Sequence, residues 1–264
     1  MKIGFIGVGN MASILITSIM QNNRCPAGNL ILFDRDTEKC AEFTQKGTKT
    51  APSAEDATAE ADILFLAVKP QNMPELLPTL KNHSAGKCFV SIAAGVSAGY
   101  IKSQLDPSAA VIRVMPNTPM LIGCGAAEIA EGGEAEAPYF ETVTAIFKDC
   151  SLVEILPEEK MNAGIALNGS SPAIFYKVIT DIIAYAEQNG IDKEVARRLA
   201  AKTMEGAAKM ILEQDESIET LIGRVTSKGG TTIATLEKMD ACGFSDALQA
   251  GLAACKNRAE ELCK

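Results

Sequence analysis

Lys2-Ile3-Gly4-Phe5-Ile6-Gly7-Val8-Gly9-Asn10-Met11-Ala12 is the stretch that decides the fold. Lys2–Gly7 is a largely apolar run bounded by glycine, as expected of a strand buried on both faces. Asn10–Gln21 then carries an apolar stripe at helical spacing. Between them Gly7-Val8-Gly9-Asn10-Met11-Ala12 matches G-x-G-x-x-A. The pattern is weak alone but gains meaning where a strand ends and a helix begins. Gly7 permits the tight turn, Gly9 lets a pyrophosphate approach the backbone, and Ala12 lets helix and strand pack closely. The free N–H groups of the helix start attract phosphate. Ile6, Gly7, Val8, Gly9, Asn10 and Met11 are therefore expected to bind a dinucleotide.

The pattern continues outward. Strands are expected at Leu30–Asp34, Ala61–Val68, Lys87–Ala93, Ala110–Met115 and Ser151–Leu156. Helices are expected at Thr37–Gln45, Met73–Leu80, Ser97–Leu105 and Tyr139–Phe147, and Glu128–Ala137 reads as an acidic turn. Repeated β-α with buried strands predicts an α/β domain, a Rossmann-type doubly wound parallel sheet. After Pro157 the texture becomes helical: Glu158–Asn168, Pro172–Asn189, Lys193–Leu212, Ser217–Val225, Thr231–Met239 and Ser245–Leu262. The expected organisation is a dinucleotide-binding domain over residues 1–157 and an all-helical substrate-binding and dimerisation domain over residues 158–264. An Ala-rich, apolar helical half hides best against a partner, which implies a homodimer or a higher homo-oligomer built from dimers.

Ligands of such sheets lie beyond the carboxyl ends of the strands. Asp34 ends the second strand, where an acidic group can accept from a ribose 2′-hydroxyl, while Arg35 could instead meet a 2′-phosphate; NADH and NADPH both stay open. Ala67-Val68-Lys69-Pro70 and Ala93-Ala94 are small or Pro-fixed strand ends that a cofactor can cross. Lys69 could face phosphate or a carboxylate, or be a surface lysine with its stem laid down. Asn117, held between Pro116 and Pro119, falls near the expected nicotinamide.

Composition excludes other chemistry. The chain has 264 residues, one His and no Trp, so a His-rich metal site is excluded and no metal is expected. The net charge of −8 is spread evenly, which argues against a nucleic-acid or anionic-membrane partner. No apolar run is long enough to cross a bilayer. The eight cysteines, Cys25, Cys40, Cys88, Cys124, Cys150, Cys242, Cys255 and Cys263, include no C-x-x-C pair. With no signal peptide, free thiols in a reducing cytoplasm are expected.

Two polar clusters interrupt the helices: Asn168-Gly169-Ser170-Ser171-Pro172 and Val225-Thr226-Ser227-Lys228-Gly229-Gly230-Thr231-Thr232. The second sets hydroxyls and backbone N–H groups before a helix start, either an ordinary cap loop or a nest for a small carboxylate. Together with Ile3–Ala12, Leu66–Gln71, Ser91–Val96 and Arg113–Pro119, these stretches resemble the pyrroline-5-carboxylate reductase family across essentially the whole chain. The family usually carries Pro where this chain has Lys228, and Ser-Gly-Ser-Gly-Pro where it has Asn168–Pro172. The resemblance implies NADPH- or NADH-dependent reduction of 1-pyrroline-5-carboxylate to L-proline. It implies that Ser170 and the Gly229, Gly230, Thr231 and Thr232 backbone hold the substrate carboxylate. Thr232 would hydrogen-bond the ring nitrogen, and Asp215 would lie on the substrate side. Thr232 and Ser170 are thus the expected catalytic pair. A rival reading is a β-hydroxyacid dehydrogenase using Lys177, which otherwise pairs with Asp181 along its helix. Another is a non-catalytic dinucleotide sensor.

Overall fold

The computed structural model describes residues 1–262; Cys263 lies outside the described residues. The chain forms two compact units, one of residues 1–172 with 254–264, the other of residues 173–253.

The first unit is built on an eight-stranded sheet. Its strands are β1 (Ile3–Ile6), β2 (Leu30–Phe33), β3 (Lys49–Thr50), β4 (Ile63–Leu66), β5 (Cys88–Ser91), β6 (Ala110–Pro116), β7 (Gly125–Ala130) and β8 (Ser151–Leu156). The spatial order is β3-β2-β1-β4-β5-β6-β7-β8. From β1 the chain works outward through β2 and β3, then returns to β4 on the other side. The strand order therefore reverses between β1 and β4, and a crevice opens beyond their carboxyl ends. Strands β1 to β6 are mutually parallel, β7 runs antiparallel to β6, and β8 is parallel to β7. The sheet is thus mostly rather than wholly parallel. The expected acidic turn at Glu128–Ala137 is corrected at its start, because Glu128–Ala130 belong to β7.

Alternation along each strand divides the core between two faces. Ile3, Phe5, Phe65, Val90 and Ile112 face helices α1 (Asn10–Gln21) and, later in the chain, Ala137–Lys148. Phe5 stacks on Phe65 with ring centroids 4.5 Å apart. Ile6, Leu64, Leu66 and Phe89 face the other layer. That layer contains α3 (Ala54–Glu60), α4 (Met73–Leu80) and α5 (Ala98–Gln104), while α2 is Glu38–Gln45 and α6 is Ala137–Lys148. Ser97 caps α5 by accepting from the Tyr100 N–H at 3.1 Å.

After β8 comes the short helix α7 (Met161–Gly164), then a π-type turn over Ile165–Gly169. The turn is closed by the Ser170 N–H donating to the Ile165 carbonyl at 2.9 Å. An unbroken helix was expected over Glu158–Asn168; the extra residue per turn displaces it. The remaining helices are α8 (Ser171–Gln188), α9 (Lys193–Glu213), α10 (Ile218–Val225), α11 (Thr231–Ala241) and α12 (Phe244–Leu262). In residues 173–253, Ala196 is the one buried side chain, while Phe175, Tyr185, Leu199, Leu212 and Val225 stand exposed. Among the described residues no helix is long and apolar enough to cross a membrane.

Candidate active site

The crevice at the β1/β4 reversal is a cleft of about 550 Å³. Ile6, Gly7, Gly9, Asp34, Arg35, Ala67, Val68 and Lys69 all line it, joined by Phe33, Asp36, Lys39, Asn72 and Leu76. Gly7 has φ +94°, and a Cβ there would lie 2.6 Å from the Ala67 carbonyl oxygen, so only glycine fits. A Cβ on Gly9 would meet nothing within 4 Å, which leaves open space over the loop. Gly9 is also the N-cap of α1, and no side chain caps that helix. The first N–H groups of α1, including those of Asn10 and Met11, are therefore available to an anion.

Asp34 braces this loop. Its Oδ2 accepts the Val8 N–H at 2.8 Å, and its Oδ1 accepts the Asp36 N–H at 2.9 Å and Lys39 Nζ at 3.3 Å. Burial disfavours its charge, but these donors outweigh burial and hold its pKa below the usual carboxylate range. An ionised acceptor at the end of β2 suits a ribose hydroxyl. The Arg35 guanidinium is largely exposed and pairs with Glu75 at 3.1 Å. Lys39 was not singled out by sequence; its signal was a cation five residues after Asp34, in the first turn of α2. An open glycine turn, an uncapped helix start and a charged acceptor together fit a dinucleotide.

The other expected cofactor residues lie outside this lining. Pro70 opens the turn after Lys69. Ala93 and Ala94 follow β5, the former buried. Asn117 follows β6 and is half-buried. Its Oδ1 accepts the Ala126 N–H at 2.9 Å, and its Nδ2 donates to Asn168 Oδ1 at 2.7 Å. Ser170 is half-buried beside Cys255, with Oγ and Sγ 3.2 Å apart. The Cys255 contact had no sequence signal, because α12 returns to the first unit over 85 residues of chain separation.

Asp215, Gly229, Gly230, Thr231 and Thr232 belong to the second unit. Asp215 is exposed in the link between α9 and α10. Gly229 takes φ +73°, and Gly230 is the N-cap of α11, again with no side-chain cap. Thr231 and Thr232 form the first turn, so α11 presents free N–H groups beside two hydroxyls. Lys177 pairs with Asp181 at 2.7 Å on an exposed helix face, as its i,i+4 spacing predicted. Among the described residues no cluster of His, Cys, Asp or Glu could hold a metal ion.

The first unit also holds a charged group, on β6 and β7, that carried no signal in the sequence. Arg113 on β6 is buried and donates to Glu158 Oε1 at 3.2 Å and to Asn162 Oδ1 at 2.6 Å. Glu128 on β7 is 5% exposed, and neither of its carboxylate oxygens has a hydrogen-bond partner. Burial raises its pKa to about 7, against the opposing charge of Arg113.

Comparison with known proteins bears on both halves of the chain. Residues 158–262 match the family model for pyrroline-5-carboxylate reductase dimerisation, and residues 2–95 match a model described as NADP oxidoreductase, coenzyme F420-dependent. The pyrroline-5-carboxylate reductase of Haemophilus influenzae is 34% identical, over 98% of this chain and 97% of its own. Pyrroline-5-carboxylate reductase 1 of Bacillus spizizenii is 33% identical, over 99% of this chain and 89% of its own. The chain belongs to the pyrroline-5-carboxylate reductase family. Solved structures in the family agree with its fold. That of Plasmodium falciparum pyrroline carboxylate reductase with NADP bound superposes with a TM-score of 0.89 at 25% identity, covering 100% of this chain and 98% of that one. That of Coxiella burnetii pyrroline-5-carboxylate reductase gives 0.88 at 30% identity over the same shares. Membership gives the chain an NAD(P)H-dependent oxidoreductase scaffold that includes the dimerisation segment.

Proposed function

We propose that this chain reduces 1-pyrroline-5-carboxylate to L-proline with NADH or NADPH, the last step of proline synthesis. The observation that carries the proposal is likeness over the full chain to reductases of this substrate, joined to an open glycine turn built for a dinucleotide. When bound, the nicotinamide supplies the hydride. The residues of the chain bind and orient. The first turn of α1 takes the pyrophosphate, Asp34 or Arg35 takes the ribose substituent, and Asn117 takes the nicotinamide side. Ala67 to Pro70, Ala93 and Ala94 form the floor at the strand ends.

The substrate is a cyclic imine whose protonated form is the better hydride acceptor. A hydroxyl at the ring nitrogen steadies that proton, and a fixed carboxylate selects the ring face offered to hydride. We assign the nitrogen contact to Thr232. The carboxylate goes to Ser170 and the Gly229–Thr232 backbone, with Asp215 on the substrate side. Addition of hydride to the iminium carbon leaves a neutral secondary amine, so no further group need be reduced.

The assembly we propose is a homodimer or a larger oligomer of dimers, formed by residues 158–264. The exposed apolar side chains of residues 173–253 support it, since such a surface is stable only when covered. Buried free thiols such as Cys25, Cys40 and Cys88 support a reducing, cytoplasmic setting. The evenly spread acidic charge supports a reading without a nucleic-acid partner. The deciding experiment follows NADH and NADPH oxidation side by side with pyrroline-5-carboxylate. Turnover is expected; cofactor binding without turnover of this imine would refute the proposal and favour a sensor.

A further inference from the structure

Asn168 stands where the family usually has serine, and the structure gives its longer amide a specific use. It is 8% exposed and lies on the π-type turn that leads into Ser170. Its Nδ2 donates to the Met115 carbonyl at 2.7 Å and to the Ala126 carbonyl at 3.1 Å. Its Oδ1 accepts from Asn117 Nδ2 at 2.7 Å. Asn117 Oδ1 in turn accepts the Ala126 N–H at 2.9 Å. Asn168 therefore bridges the end of β6, the start of β7 and the turn.

The direction of both amides follows from the chain ends of this network. Two backbone carbonyls face one end of Asn168, so that end is its NH2 group and the other is its oxygen. One backbone N–H faces one end of Asn117, so that end is its oxygen. The two orientations are compatible, because the Asn117 NH2 group then meets the Asn168 oxygen. Neither amide can flip without setting carbonyl against carbonyl or N–H against N–H. One Asn117 Nδ2 hydrogen is committed to Asn168, and among the described residues the second meets no acceptor. A serine hydroxyl at position 168 supplies one donor and cannot replace two N–H bonds and an acceptor at once.

We infer that Asn168 is a positioning residue that fixes the polarity of Asn117, so that Asn117 presents an N–H donor to the nicotinamide carboxamide oxygen. The inference rests on the assignment of Asn117 to the nicotinamide side of the cofactor. It predicts that Asn168 acts on affinity for the nicotinamide end alone, and only through Asn117.

The test is a double-mutant cycle of Asn168→Ala and Asn117→Ala, read by binding of the reduced cofactor and of ADP-ribose, which lacks nicotinamide. For an NADPH-preferring enzyme the 2′-phosphorylated ADP-ribose is used. Each single variant is expected to bind reduced cofactor about tenfold more weakly, the size of one neutral hydrogen bond, with ADP-ribose unchanged. The double variant should be no worse than Asn117→Ala. Equal weakening of ADP-ribose, or losses that multiply in the double variant, would overturn the inference. If Asn168→Ala does not fold, Asn168→Ser takes its place in the same cycle with the same expectations. Binding needs no turnover, so a wild-type chain inactive on pyrroline-5-carboxylate would defeat the substrate assignment while the cycle still decides the role of Asn168.

Discussion

Replacing Glu128 by Gln should stabilise the protein, and only above mildly acidic pH. Glu128 sits on β7 opposite Met115 of β6, with Glu154 of β8 exposed beside it. Gly164 of α7 packs directly on its carboxyl group, where a Cβ would collide with it. Among the described residues Arg113 is the cation acting on it, and that cation already serves Glu158 and Asn162. Burial thus disfavours the charged form and raises the pKa from 4.5 to about 7. The folded state binds the proton more tightly than the unfolded state does, so stability falls as pH rises from about 4.5 to about 7 and then levels off. A shift of this size corresponds to about 3 kcal/mol at the plateau. Gln has nearly the same shape and never carries the charge. Urea unfolding of both proteins at one fixed protomer concentration should give similar stability near pH 4.5 and a gap opening to about 3 kcal/mol by pH 8. Other groups titrate in both proteins and cancel in the difference. Parallel stability profiles across that range would refute the reasoning, since they would mean that Glu128 finds a partner or water when ionised.

Three further outcomes follow from the geometry. Gly7→Ala forces a side chain into φ +94° and against the Ala67 carbonyl, so both cofactors should bind at least tenfold more weakly, as calorimetry would show. Arg35→Ala should raise KM for NADPH more than KM for NADH, because a guanidinium recognises a phosphate and not a hydroxyl; equal changes would remove Arg35 from cofactor choice. Thr232→Ala should lose most of kcat with cofactor affinity intact, and an unchanged kcat/KM for pyrroline-5-carboxylate would end its catalytic assignment.

The cofactor half was legible because each of its signals is local. Gly7, Gly9 and Asp34 are declared by strand, turn and helix neighbours within the sequence, and Met73–Leu80 and Asn10–Gln21 carry full apolar stripes. Three kinds of feature were not. Ala54–Glu60 is a seven-residue helix too short for a periodic signal, capped by Ser53 on the Asp56 N–H. Strand β7 was hidden by Glu128, a charge at a buried position, which period and propensity both read as turn. The π-type turn is a local departure in helix period that an apolar stripe does not announce, and the Asn168 network depends on contacts across some 40 to 50 residues, which no local pattern encodes. Asn168 still left one trace, its departure from the family pattern. That departure now has a physical account: the amide reaches two carbonyls and a second amide at once.

On the binding mode proposed above, an acidic chain would hold an anionic cofactor by local means, and those means would also set which cofactor it takes. In the proposed binding mode the pyrophosphate would meet the uncapped start of α1, whose fixed N–H dipoles do not depend on the net charge of −8. At the ribose the balance is finer. Asp34 is held ionised by Val8, Asp36 and Lys39, so it can accept a bond from a 2′-hydroxyl but repels a 2′-phosphate. Arg35 offsets that repulsion only if it leaves Glu75. Both partners of that pair are more than 70% exposed, and such pairs contribute about 0–1 kcal/mol. Breaking it therefore costs little beside a guanidinium–phosphate contact. The competition reduces to Asp34 against Arg35 at the end of β2, two adjacent residues of which one is fixed by the glycine loop and the other is free to turn.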